Sequence, residues 1–187
     1  MDSKAFSGYA AEYGTGIGVV WCVDFLLIAG GFTSQAGGIM LLGLLCMVLL
    51  PVLPCYFAHR LKRHVAAGEG LSFGRAFVFC LLMMMYTCLL TAAVEYAYLR
   101  FVDKGQLLAT LTAIISAPEA QVAYRQLGMT DMLRQTEEVL DTLRQMKVSD
   151  IVVALMNQNI FIAIINSLIA ACFGIKTAAP TPTEDTD

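Results

Sequence analysis

The stretch Gly14–Phe32 reads GTGIGVVWCVDFLLIAGGF and decides the fold. Its only charged residue is Asp24, and its length approaches the roughly 20 residues that cross a bilayer as a helix. Three more runs of this kind follow, Gly38–Ala58, Phe73–Tyr98 and Ile151–Ile175. Together they predict an all-α polytopic membrane protein. Its spans lie at about 14–32, 38–58, 73–98 and 151–175, and an extracytoplasmic helical segment at about 100–150 joins the third to the fourth. The whole forms one four-helix transmembrane domain, 1–176, followed by an acidic tail, 177–187, whose Ala, Pro, Thr and acids predict disorder.

Composition agrees with the runs. Only 14% of residues are charged, against about 25% in a soluble domain. The net charge of −3 gives no basic face for nucleic acid. All six cysteines, Cys22, Cys46, Cys55, Cys80, Cys88 and Cys172, fall inside the apolar runs and form no CxxC. They therefore read as small apolar side chains, not as a disulfide framework or a zinc site. The first run is longer than a signal-peptide core and no A-x-A site follows it, so it reads as a retained span.

Orientation follows from the linker after the second span, HRLKRHVAAGEGLSFGR, which concentrates Arg60, Lys62, Arg63 and Arg75. Dense positive charge in a short loop stays cytoplasmic. The turn Thr33–Gly37 carries no charge, which suits the opposite side. Both termini are thus expected in the cytoplasm of a bacterial inner membrane, with 100–150 outside. The Arg60, Lys62 and Arg63 cluster would then also meet anionic lipid headgroups. His59 and His64, five apart, do not share a helix face and make no metal pair.

The outer segment shows helical signals. Gln106–Ile115 is apolar enough to lie in the membrane interface or to cap the bundle. Ser116, Pro118 and Glu119 carry a helix-start pattern, and Gly128 a stop. Thr130-Asp131 opens another amphipathic helix, with Met129, Leu133, Leu140, Leu143 and Val148 approximating one stripe. Ser149-Asp150 is a candidate cap for the fourth span. These helices are expected to cap their own bundle, to dock a partner, or to act as a lid.

Within the spans, Ala10, Gly14, Gly18 and Cys22 recur every four residues, and Gly14 with Gly18 makes a GxxxG pattern. Small residues let helices approach closely in lipid, either within one chain or across a dimer seam. Pro51 and Pro54 should bend the second span, as a static kink or as a hinge. Met83, Met84 and Met85 read as lipid-facing or core filler.

Asp24 lies near the bilayer midplane, where a carboxylate costs about 2.5–3.5 kcal/mol on insertion scales. Every lysine and arginine lies outside or at the edge of the runs, so no cation of this chain can offset that charge. The acid must be protonated, solvated by a water-filled cavity, or paired with another chain. Asn157, Gln158, Asn159 and Asn166 on the fourth span supply neutral partners, and Asn159 and Asn166 share a face. Glu95 is placed closer to the outer boundary, partly wet, with Arg100 nearby. The candidate intramembrane polar cluster is therefore Asp24, Asn157, Asn159, Asn166 and Glu95. It serves either as an interhelical hydrogen-bond clamp, as a proton or ion site, or as a contact with a partner's helix.

No HExxH, GxSxG, P-loop or Rossmann glycine pattern occurs, so no catalytic, cofactor-binding or metal residue is nominated. Three stretches carry a family resemblance: Glu12-Tyr13-Gly14 with Gly18, Gly70-Leu71-Ser72-Phe73-Gly74-Arg75-Ala76-Phe77, and Tyr96-Ala97-Tyr98-Leu99-Arg100-Phe101-Val102-Asp103. On these the chain resembles the bacterial membrane family labelled domain of unknown function 4199, common in the Bacteroidetes. Family members often carry proline after that aspartate, where this chain has Lys104. The resemblance implies four helices in a bacterial inner membrane and transfers no activity and no site residues. The expected role is a non-enzymatic accessory or scaffold subunit that meets the lipid bilayer and a protein partner or second copy. The alternative is a small oligomeric proton- or ion-coupled transporter or channel using Asp24.

Overall fold

The computed structural model describes residues 3–64 and 70–175. The tail at 177–187 and the middle of the basic linker lie outside them. Every element is helical: α1 (Ser3–Thr33), α2 (Gly37–Leu49), α3 (Val52–Leu61), α4 (Phe73–Ala97), α5 (Gln106–Ile115), α6 (Pro118–Gln126), α7 (Thr130–Gln145) and α8 (Val148–Gly174). A short 3-10 turn, Lys62–His64, follows α3, and a π-helical turn, Tyr98–Asp103, prolongs α4. Four stretches are long and apolar enough to cross a membrane: Lys4–Thr33, Gly37–Leu61, Phe73–Asp103 and Val148–Gly174.

Packed neighbours define the bundle. α1 lies against α4 and α2, α4 against α8, and α8 against α3. The chain runs up α1, down α2 and α3, up α4, and down α8. The 3-10 turn Lys62–His64, the start of α1, the start of α4 and the end of α8 thus share one end, the linker end. α5, α6 and α7 occupy the other, the cap end, where α5 packs on α1 and α7.

The first span begins well before the apolar run that signals it. Packing explains the extension. Ala10 and Tyr13 are buried, the Tyr13 ring stacks on Phe57 at 4.8 Å between centroids, and Phe6 meets Phe79 edge-on at 5.3 Å. The Arg60 guanidinium lies over the Tyr13 ring at 5.7 Å. Lys62 is half-buried, while Arg63 is exposed.

The GxxxG pair serves a contact inside this chain. A methyl group on Gly14 would run into the Met83 carbonyl oxygen, and one on Gly18 would come within 2.9 Å of Leu90 Cδ2. The Thr87 hydroxyl donates across the same seam to the Gly14 carbonyl at 2.9 Å. α1 and α4 therefore touch nearly backbone to backbone, as small residues permit in lipid. Met83 and Met84 are fully buried core, not lipid-facing, and Met85 is half-buried.

Two expected caps fall elsewhere. Ser116 ends α5, and Ala117 precedes Pro118 at the start of α6 with no side-chain cap. α8 starts after Lys147, one residue before Ser149, whose hydroxyl reaches only the neighbouring Asp150 carboxyl. In both places the helix begins a residue or two away from the polar side chain that marked it. Asp103 is the cap that forms, accepting from the Gly105 and Leu107 N–H groups at 2.9 and 2.7 Å. Leu133 and Leu140 of the α7 stripe are buried, whereas Met129 is exposed.

Candidate functional site

Four helical segments meet around a half-open cavity of about 240 Å3 between the helices. α1 contributes Trp21, Asp24, Phe25 and Ile28, each three or four residues from the next and so on one face. α4 contributes Thr91 and Glu95, again four apart, and α8 contributes Asn159, Ile162 and Asn166. The second span adds Met47, Leu50 and Pro51. Counting from the cap-end termini at 1.5 Å per residue puts Asp24 about 14 Å below Thr33, Glu95 about 12 Å below Asp103 and Asn159 about 17 Å below Val148. The three groups thus share one depth, roughly half of a 30 Å hydrocarbon core.

The electrostatics of this cavity are unusual. Asp24 is 6% exposed, Glu95 5% and Asn166 9%. Among the described residues, four buried side-chain polar atoms make no hydrogen bond within the protein: Trp21 Nε1, Asp24 Oδ1, Glu95 Oε2 and Asn166 Nδ2. All four belong to residues that line this one cavity. Buried polar side chains are normally paired, so four orphans converging from three helices define a site, not scattered packing defects. Asn159 lies within hydrogen-bonding reach of the Glu95 carboxyl. The Thr91 hydroxyl donates to the Thr87 carbonyl at 2.9 Å and lies within hydrogen-bonding reach of the Cys22 thiol. Among the described residues no lysine, arginine or histidine lines the space.

The structure corrects two placements in the polar cluster. Glu95 does not sit at the wet boundary. α4 continues through Tyr98–Asp103, which carries the span six residues further and leaves Glu95 deep and buried. Asp24 therefore has a second acid beside the same cavity. Asn157 is exposed and does not line it, and Gln158 is exposed as well. At helical spacing, Asn157 lies about 200° around α8 from Asn159. Trp21 and Thr91 are the lining polar residues that the sequence reading passed over. Their signal was positional: Trp21 stands three residues before Asp24, and Thr91 four before Glu95.

Pro51 lines the cavity, and Pro54, three residues on, is buried without lining it. The helix breaks at Leu50-Pro51, where α2 ends and α3 begins. Above the break α2 leans on α1; below it α3 leans on α8. The cavity lies at the level where the second span exchanges one neighbour for the other.

No group of three or more histidine, cysteine, aspartate or glutamate side chains is placed to hold a metal ion among the described residues. The cysteines are all free thiols, and Cys22 and Cys88 stand beside Glu95.

A four-span helical bundle with an acidic intramembrane cavity defines a multi-pass membrane protein. The chain belongs to the family described as a protein of unknown function, DUF4199, whose model matches residues 12–176. No curated protein and no solved structure matches it. At the position after Asp103, Lys104 adopts a left-handed backbone with φ 48°. Proline cannot take that conformation, so the turn into α5 is built for the residue present here.

Proposed function

We propose that the protein is a small proton-coupled carrier or channel of the bacterial inner membrane, in which Asp24 and Glu95 take up and release protons from the shared cavity. One observation carries this reading: among the described residues, one oxygen of each of two carboxyls, an indole N–H and an amide nitrogen are buried without a hydrogen bond in the protein, and all four belong to residues lining one cavity at mid-membrane depth. Intramembrane acids without a basic partner mark proton and ion pathways. The titratable groups facing the pair are few. α1 brings Cys22, and α4 brings Cys88, with the Tyr98 phenol just beyond, where its ring meets Phe25. α8 and the second span bring none to the lining.

The break at Pro51 supplies a candidate hinge, since span two can change its lean beside the cavity without unwinding a continuous helix. The density of Arg60, Lys62, Arg63 and Arg75 supports a cytoplasmic linker end, and hence both termini inside. Four spans are few for a carrier, so a homo-oligomer fits the proposal. No residue pattern supports an enzyme.

The test uses purified protein in liposomes that enclose a pH-sensitive dye. After an external acid step, vesicles with the wild-type chain should acidify several-fold faster than protein-free vesicles. Asp24→Asn and Glu95→Gln should each remove that difference. A wild-type rate equal to that of protein-free vesicles overturns the proposal.

A second reading, an accessory subunit that binds a partner protein, is favoured by the cap. Val122, Leu127, Met132 and Val139 of α6, its C-terminal turn and α7 are all at least half exposed. It predicts a stoichiometric partner retained on extraction in mild detergent. Repeated recovery of a lone monomer removes its support.

A further inference from the structure

We infer that the cavity binds a small monovalent organic cation, an ammonium compound with an apolar or aromatic body, in exchange for a proton. The inference rests on the proton-handling reading above and adds the class of substrate.

Charge comes first. Two carboxyls line the cavity and, among the described residues, no basic side chain does. Burying an isolated carboxylate is costly, and the cost is relieved by a proton or by a cation held against it. A monovalent cation that enters as one proton leaves keeps the net charge of the cavity constant. The balance is one cation bound, one carboxyl O–H bond broken and one proton released to water.

The remaining lining decides what kind of cation. Trp21, Phe25, Ile28, Met47, Leu50, Pro51 and Ile162 present apolar surface around the two acids. A bare sodium or divalent ion needs a shell of several oxygens. Among the described residues no group of three or more His, Cys, Asp or Glu side chains is placed to hold a metal ion, and the two acids are the lining's only carboxylates. An ammonium compound needs little more than one carboxylate, gains from aromatic faces such as Trp21 and Phe25, and buries its carbon skeleton on the apolar wall. The volume agrees, since about 240 Å3 is the room of about eight waters. That is too large for an ion alone and suited to a small aromatic or branched amine. The unpartnered Asn166 amide and Trp21 indole N–H are donors, so an oxygen substituent on the ligand would also find partners.

The experiment measures binding of radiolabelled benzyltrimethylammonium to the full chain in detergent. This probe carries a permanent charge, so any pH dependence belongs to the protein. Affinity should rise about tenfold per pH unit while the carboxyls are protonated, as proton exchange requires. Calorimetry in two buffers of different ionisation enthalpy should show close to one proton released per cation. Asp24→Asn and Glu95→Gln should each weaken binding at least tenfold. Trp21→Phe, which keeps a ring, should weaken it only a few-fold. Binding no greater than to protein-free micelles, binding that ignores pH, or equal competition by sodium each overturns the inference. The wild-type pH series and proton count decide the matter even if the acid variants fail to fold. Proton flux in liposomes without cation binding sinks this inference alone. Loss of flux sinks the transport reading itself.

Discussion

Toward the linker end of the bundle, Ile17, Phe79, Cys80, Met83, Ala58, Leu61 and Ala170 are fully buried in one continuous core. Toward the cap end, between Trp21, Thr91 and Asn166, the same four spans border a half-open cavity lined by residues with unpaired polar atoms. The two regions use the same helices and the same lipid surroundings. Glycines draw helices together in both, Gly31 and Gly43 at the α1–α2 seam near the cap included, and the regions differ in how the second span is seated. Near the linker, Gly14, Ala58, Ala76, Ala170 and Gly174 draw backbones together, while the aromatic rings of Phe6, Tyr13, Phe57 and Phe79 fill what remains. In a membrane, where apolar burial between helices contributes little, such contact is the main source of stability. Near the cap, the second span breaks at Pro51 and changes neighbours, so the seam opens. The tight half holds the fold, which frees the open half to carry groups that weaken it.

This division can be broken most severely at Phe79. Its ring is fully buried and is met edge-on by Phe6 and Tyr13. Phe79→Ala should lower unfolding stability by about 3 kcal/mol, as large-to-small changes do in close-packed sites. Thermal unfolding in detergent measures it. A loss as small as that of a surface change would mean that the linker half is not the stabilising half.

Gly14→Ala comes next, because the added methyl meets the Met83 carbonyl, which is backbone and cannot swing away. About 2 kcal/mol of destabilisation is expected from overpacking. Gly16→Ala on the same helix meets nothing within 4 Å and should be tolerated. Equal effects at the two glycines would show that the α1–α4 seam is looser than the structure has it.

The tight half is also the half that a sequence discloses well. Length and apolarity announce four spans, and the four-residue repeat from Ala10 to Cys22 announces a close seam. What a single sequence does not disclose is which helices are neighbours. Asp24 and Glu95 are 71 positions apart, and only the α1–α4 contact brings them to one cavity. The depth of Glu95 was equally hidden, because the π-helical turn at Tyr98–Asp103 continues a helix that the apolar pattern ends at Tyr98. Asn159 and Asn166 were legible as one face by spacing alone. Asn157 was drawn into the group by its nearness in sequence, and three-dimensional placement removes it.

The cap end offers a smaller test. Asp103 caps α5 through two short bonds to backbone N–H groups. Asp103→Ala should cost about 1 kcal/mol, the usual worth of such a cap. The loss should stay local, read as faster amide exchange in α5 with the four-span core unchanged. Global unfolding instead would show that the cap and the bundle form one cooperative unit.

The smallest effect on stability is expected where the chemistry is richest. A buried acid held in a hydrogen-bond clamp should be missed when it is altered, because its partners are left unsatisfied. Asp24 Oδ1 and Glu95 Oε2 have no partner in the protein to leave behind. Asp24→Asn keeps the shape and removes only the ionisable group, so the unfolding temperature should barely move, corresponding to within about 0.5 kcal/mol. Glu95→Gln should behave in the same way, apart from the altered contact with Asn159. Against that flat stability, proton exchange should disappear in both. A drop as large as that of Gly14→Ala would assign the acids to the clamp that holds the helices together, and would erase the distinction between the two halves of the bundle. An unchanged melting profile with lost proton exchange would instead separate them cleanly, since a group whose removal leaves the fold untouched is kept there for what the cavity does.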